Sequence, residues 1–222
     1  MKERWEKINM RNLFYAIMIG IGSFPLFAVL FTLPIVAVTL MKYKSVNLVR
    51  IGLNYAMLLY FLCVIALVIF PLPSAELAAT LSTYDIQLVP FQFVVDIVNE
   101  SPFLLSNPST YLPAMFHIAV LQVVFNILMT IPFGMFLRYY CGCSGKKVVL
   151  LTCLLSLAIE ITQFTGLYGI YNGSYRLCDV DDLMTNSLGG YLGYRFIYSA
   201  ERFLPSIQAF NMKFSKYRHA YN

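Results

Sequence analysis

RLCDVDDLMTNSLGGYLGYR, residues 176–195, joins two kinds of chemistry in twenty positions. Arg176, Asp179, Asp181 and Asp182 need water or protein partners, whereas the Leu, Met, Gly and Tyr that follow suit a bilayer. On an α-helix, Asp179, Asp182, Asn186, Gly189 and Gly193 fall three, four, three and four residues apart, which keeps them on one stripe. One end of the stripe is acidic, its middle carries an amide, and its far half is bare glycine. Gly189 and Gly193 form a G-x-x-x-G pair of the kind that lets helices approach closely in lipid. This face therefore needs another helix or a ligand to fill it. Asp181 lies off the stripe and is expected in solvent.

The rest of the chain agrees with a lipid setting. Of its 222 residues, 59% are apolar and 12% charged, about half the charge of a soluble domain. The sequence is expected to form a single membrane domain over 1–222. The net charge of +5 does not point to nucleic acid, because the basic residues lie between apolar runs, where the positive-inside bias and anionic lipid would put them. Five stretches are long enough to cross hydrocarbon as helices: Leu13–Leu40, Ile51–Phe70, Ala114–Leu137, Val148–Thr165 and Leu183–Tyr198. The fold class expected is an all-α, polytopic bundle of about five spans. The basic start, with Lys2, Arg4, Lys7 and Arg11, precedes an apolar run too long for a cleavable signal core, so the segment is expected to be retained. The five cysteines follow no disulfide or metal pattern, and the triplet Cys141-Gly-Cys143 lacks a second pair. No cofactor and no metal are expected.

Counting Lys and Arg by loop orients the bundle. One arrangement gathers eleven of the 16 basic residues on the side of the 41–50 and 138–147 loops, Arg195 and the tail from 199. That side is read as cytoplasmic, with the N-terminus outside. The tail 199–222 is expected to rest on anionic lipid or to be disordered. The long connection from Leu72 to Pro113 then faces outward. Its ends, PLPSAEL and NPSTYLP, read as loop, and its LVPFQFVVDIVNE stretch reads as a short amphipathic helix lying on the membrane or capping the bundle.

The fourth stretch contains Glu160 and Gln163 on one face, near the same outer end. A charge at mid-helix costs about 2.5–3.5 kcal/mol to insert, so Glu160 needs a partner or a proton, and Arg176 is the nearest basic residue in sequence. In the third stretch, Asn126 precedes Pro132 and Gly134, where proline bends the helix. Each residue also has a purely structural reading. Asn126 is interhelical glue, Asp179 caps the last helix, Arg176 and Glu160 form an ion pair, and the glycines with Pro132 shape the packing.

Taken in order, Asn126, Pro132-Phe133-Gly134, Glu160-x-x-Gln163 and Arg176-x-x-Asp179-x-x-Asp182-x-x-x-Asn186-x-x-Gly189-x-x-x-Gly193 resemble the VanZ-like membrane proteins over roughly residues 50–198. The prototype of that family is associated with low-level resistance to the glycopeptide teicoplanin. The resemblance implies a cell-membrane protein linked to glycopeptide susceptibility. It is read together with a ligand-binding cluster of Glu160, Gln163, Arg176, Asp179, Asp182, Asn186 and Asn126. The ligand class expected is the polar head group of an envelope lipid or lipid-linked wall precursor, or the glycopeptide itself. Two alternatives stay open, an enzyme on a lipid-linked substrate with Glu160 or Asp182 as base, and a small-molecule transporter. His117 and His219 offer no base–nucleophile pair, and no internal repeat is visible. The sequence is silent on oligomeric state.

Overall fold

The computed structural model describes residues 10–70 and 72–211; Lys2, Arg4, Lys7 and the tail from residue 212 lie outside them. Five long helices dominate: α1 (Met10–Tyr43), α2 (Leu48–Ile69), then, after three short helices, α6 (Ile118–Tyr139), α7 (Gly145–Phe164) and, after a further turn, α9 (Val180–Ala200). Four of them, all but α9, are long and apolar enough to cross a membrane by length and composition. The all-α bundle expected from the sequence is thus found, with four of its about five expected spans meeting that measure among the described residues. α9 has the length, but its apolar content is diluted by the carboxylates and glycines that face its neighbours.

The bundle is built around α9. It runs parallel to α6 and antiparallel to α7, and it packs chiefly against these two. The α6 crossing is a backbone-to-backbone contact: a Cβ on Gly189 would sit 2.2 Å from the Ile127 carbonyl oxygen, and one on Gly193 2.2 Å from that of Ile131. On α6 itself, a Cβ at Gly134 would sit 2.0 Å from the Gly190 oxygen. Gly190 in turn presses on the Thr152 side chain of α7. Small residues at these positions let dispersion contacts accumulate, the main attraction available to helices in lipid. Pro132 removes one backbone donor inside α6, and one turn earlier Tyr60 of α2 donates its hydroxyl to the Met129 carbonyl at 3.0 Å.

α1 is the outlier. It spans 34 residues, about 51 Å at helical rise, and among the described residues packs chiefly on α2. Gly20 meets the Cys63 backbone, and Thr32 shares a 2.6 Å hydrogen bond with Tyr55. Leu26, Val29, Leu30, Leu33 and Val38 point away from the protein.

The long connection contains the expected short helix, α4, within LVPFQFVVDIVNE, and more order besides. It holds α3 (Ala75–Thr80), β1 (Ile86–Gln87), α4 (Gln92–Glu100), a 3-10 turn at Pro108–Thr110 and α5 (Tyr111–Met115). PLPSAEL thus runs into a helix and NPSTYLP forms one. β1 pairs in parallel with β2 (Cys178–Asp179), Ile86 opposite Cys178 and Gln87 opposite Asp179. At the opposite end, Asn47 is fully buried, caps α2 through the Arg50 N–H, and donates to the Ile207 carbonyl at 2.6 Å. The first residues of the expected tail are therefore folded against the bundle. Arg138 and Glu201 close the same end with two 2.5 Å contacts.

Candidate functional site: a polar seam between three helices

A column of polar side chains climbs the α6–α7–α9 interface towards the β1–β2 end. It starts at Thr130, whose hydroxyl donates to the Asn186 carbonyl at 2.7 Å. The Asn186 amide donates to Ser156 Oγ at 2.8 Å, and Ser156 in turn donates to the Asp182 carbonyl at 3.3 Å. Asn126 donates to Asp182 Oδ1 at 2.6 Å. One level further, Glu160 Oε2 accepts the Asp179 backbone N–H at 2.9 Å. Glu160 and Asn186 are only 1% and 2% exposed. Burying such groups is tolerable because partners replace water.

Helical spacing explains the column. Val148, Thr152, Ser156, Glu160 and Gln163 are the buried residues of α7, spaced four, four, four and three apart on one face. Thr152 and Ser156 were missed in the sequence, although they sit eight and four residues before Glu160 on its own stripe. α7 ends in a backbone reversal: Gly166, Leu167, Tyr168 and Gly169 all have positive φ, of 60°, 57°, 57° and 90°. For Leu167 and Tyr168 this conformation costs roughly 1–2 kcal/mol each. A 2.8 Å bond between the Thr162 and Tyr168 hydroxyls helps hold it.

Arg176 enters from the loop after that reversal. Its Nη2 donates to the Phe70 carbonyl at 2.8 Å, and Tyr175 donates to the Val68 carbonyl at 2.9 Å. These are the last carbonyls of α2, the end where a helix favours a cation. Arg176 acts on Asp182 and Glu160 by charge and hydrogen-bonds neither, so the direct Arg176–Glu160 pair is replaced by a helix cap. Burial pulls its guanidinium below the ordinary value, and Tyr175, Asp182 and Glu160 oppose that shift. Next to it, burial and then the Glu160 charge push the Cys178 thiol up to about 11, which makes it an inert thiol at neutral pH.

Asp179 is the N-cap of α9, its side chain accepting the Asp181 N–H at 2.8 Å. Gln87 of β1 donates to the same carboxylate at 3.3 Å. Burial raises the Asp179 pKa; the Asp181 N–H works against this, and the charges of Asp181 and Asp96 add to it.

Asp181 corrects the expectation of a solvated residue: it is 2% exposed. Its two carboxylate oxygens accept the backbone N–H groups of Phe91 and Phe93 at 2.6 and 2.8 Å. α4 begins at Phe91, which has left-handed φ of 65° and no side-chain cap. Helix starts leave N–H groups unsatisfied, and here α9 supplies the acceptor. Among the expected residues, Asn126, Glu160, Asp179, Asp182 and Asn186 thus meet along one seam, with Arg176 above it. Gln163 is buried on the same α7 face.

Some capacity is left over. Asn186 Oδ1 is buried without a hydrogen bond. Four carboxylates, on Glu160, Asp179, Asp181 and Asp182, stand against the single guanidinium of Arg176. No three His, Cys, Asp or Glu side chains among the described residues are grouped to hold a metal ion. What the seam can do chemically is accept hydrogen bonds from hydroxyls or an ammonium group.

A helix bundle with an apolar exterior and one polar seam at its end is the architecture of a multi-pass membrane protein. The VanZ/LLP1 family model matches residues 57–202, and the chain belongs to that family. The match takes in α6, α7, α9 and the whole seam, and leaves α1 out. Neither a curated protein nor a solved structure matches.

Proposed function

We propose that this VanZ/LLP1 protein binds the polar head group of a cell-envelope lipid or lipid-linked wall precursor, and that this binding underlies a role in glycopeptide (teicoplanin) susceptibility. The observation that carries the reading is the excess of acceptors over cations in the seam: four carboxylates stand against one arginine, and Asn186 Oδ1 is buried without a hydrogen bond. Sugar hydroxyls or an amine of a head group satisfy acceptors of this kind, while Arg176 attracts phosphate or carboxylate. The seam end is taken as outward-facing, with the N-terminus outside and the C-terminus cytoplasmic. The opposite end, with Lys42, Lys44, Lys146 and Lys147, fits the positive-inside bias.

The test is mass spectrometry of lipid retained by protein purified in mild detergent. One amphiphile with hydroxyl or amine groups on its head is expected with the wild type. It is expected to be lost in Asp182→Asn and Gln163→Ala proteins recovered in equal yield. Arg176→Lys, which keeps a donor for the Phe70 carbonyl, is expected to weaken retention and lower teicoplanin tolerance at unchanged abundance. A wild-type protein that retains no such lipid, or variants that retain it as well as wild type, would overturn the reading.

A further inference from the structure

α4 is turned the wrong way round for a helix resting on a soluble protein. Its half-covered side carries Gln92, Phe93, Asp96 and Ile97, with Gln92 donating to Asp96 at 3.0 Å. The Asp96 charge acts on Asp179 at the mouth of the seam. The opposite side presents Val94, Val95 and Val98, exposed by 45–66%. The apolar surface continues through Phe91 before the helix and through Leu104, Leu105, Leu112, Met115 and Phe116 after it. It then meets the start of α6, whose Val124 and Leu128 face outward from a span. An exposed apolar area of this extent marks a binding or membrane surface.

Charge identifies what covers it. From residue 51 to residue 137 the chain has no Lys and no Arg. Helices that lie on a membrane surface carry basic residues on their polar face and draw on anionic head groups; α4 has none and turns its polar side inward. We infer that the apolar side of the Leu88–Phe116 segment is sunk into the hydrocarbon of the leaflet, continuous with the lipid-facing side of α6, with the Asp181 carboxylate pinning the start of α4 to the bundle. The segment is thus a wall with lipid on one side and the acidic seam on the other.

Tryptophan placement tests it in the full chain, with the single native Trp5 replaced by Phe. Val98→Trp, with Val95→Trp as a second probe, is reconstituted into phosphatidylcholine vesicles whose acyl chains are brominated. Val29→Trp on the outward face of α1 is the hydrocarbon control, and Glu76→Trp the water control. The Val98 and Val95 probes are expected to lose as much fluorescence as the Val29 control, to resist aqueous acrylamide, and to be unaffected by high salt. Quenching by acrylamide at the level of the Glu76 control, or bromine quenching that vanishes in high salt, would overturn the placement. So would protection from both quenchers, since a protein partner or second copy would then cover the face.

Discussion

α1 and α9 are both helices of membrane-crossing length, and they solve opposite problems. α1 is strongly apolar, packs chiefly on α2 and, among its described residues, is little buried. α9 carries two aspartates in its first turn and three buried polar residues, Asp181, Thr185 and Asn186, yet lies between two other helices. Hydropathy reports which solvent a helix touches. α1 turns an apolar surface outward, whereas α9 buries its polar and glycine stripe against other helices, and of the two only α1 is apolar enough to pass as a span. The family match follows the same division, taking in α9 and leaving out α1.

The contrast can be broken most violently with glycine. Gly134→Val would drive its side chain into the Gly190 backbone. Overpacking of this kind costs ~3 kcal/mol or more where backbones touch, so the variant should yield little monodisperse protein after extraction. Gly22→Val in α1, with nothing within 4 Å of the new carbon, should extract and melt like wild type. Equal losses for both would mean that α9 is not the packed core.

Removing acceptors acts more locally. Asp181→Asn leaves a neutral side chain with one acceptor for two N–H groups, and an unsatisfied buried donor costs about 1–3 kcal/mol. Amide exchange at Phe91 and Phe93 should accelerate roughly ten- to hundredfold, with α1 unchanged. Asn126→Leu leaves Asp182 Oδ1 unbonded and should lower the thermal midpoint by an amount worth ~1–2 kcal/mol. Thr32→Val deletes the α1–α2 bond to Tyr55 and should cost only about 0.6 kcal/mol, the membrane average.

The smallest effect is pH-dependent. Burial raises the Asp179 pKa in the folded protein. A folded state that holds the proton more tightly than the unfolded chain gains stability below the ordinary carboxylate value and loses it as pH rises through the raised one. Stability should therefore fall gently from mild acid towards neutrality. Asp179→Asn keeps the α9 cap and should flatten that slope in melts taken across the range.

The seam was legible where the physics is local. The α9 stripe from Asp179 to Gly193 follows from helical periodicity alone, and so does the pairing of Glu160 with Gln163. Arg176 and Asp181 were not legible, because each answers to backbone groups far along the chain. Arg176 serves a carbonyl 106 positions away, and Asp181 serves N–H groups 90 and 88 positions away. Backbone donors and acceptors carry no residue signature. One hint existed: VPFQF opens a helix with no Ser, Thr, Asp or Asn at its start, so an outside acceptor was required. The extra order in the 72–113 connection was hidden for the same reason, since β1 exists only by pairing with β2.

The glycine-faced α9 also makes membrane insertion depend on the helices that precede it. A segment this polar is poorly partitioned by a translocon that weighs each emerging stretch against oil. Its berth, the groove where Ile127, Ile131 and Thr152 wait for Gly189, Gly193 and Gly190, belongs to helices made earlier on the ribosome. The last long helix is thus accepted into the membrane by its own predecessors, and a chain with a damaged berth would be threaded wrongly before it ever had a chance to misfold.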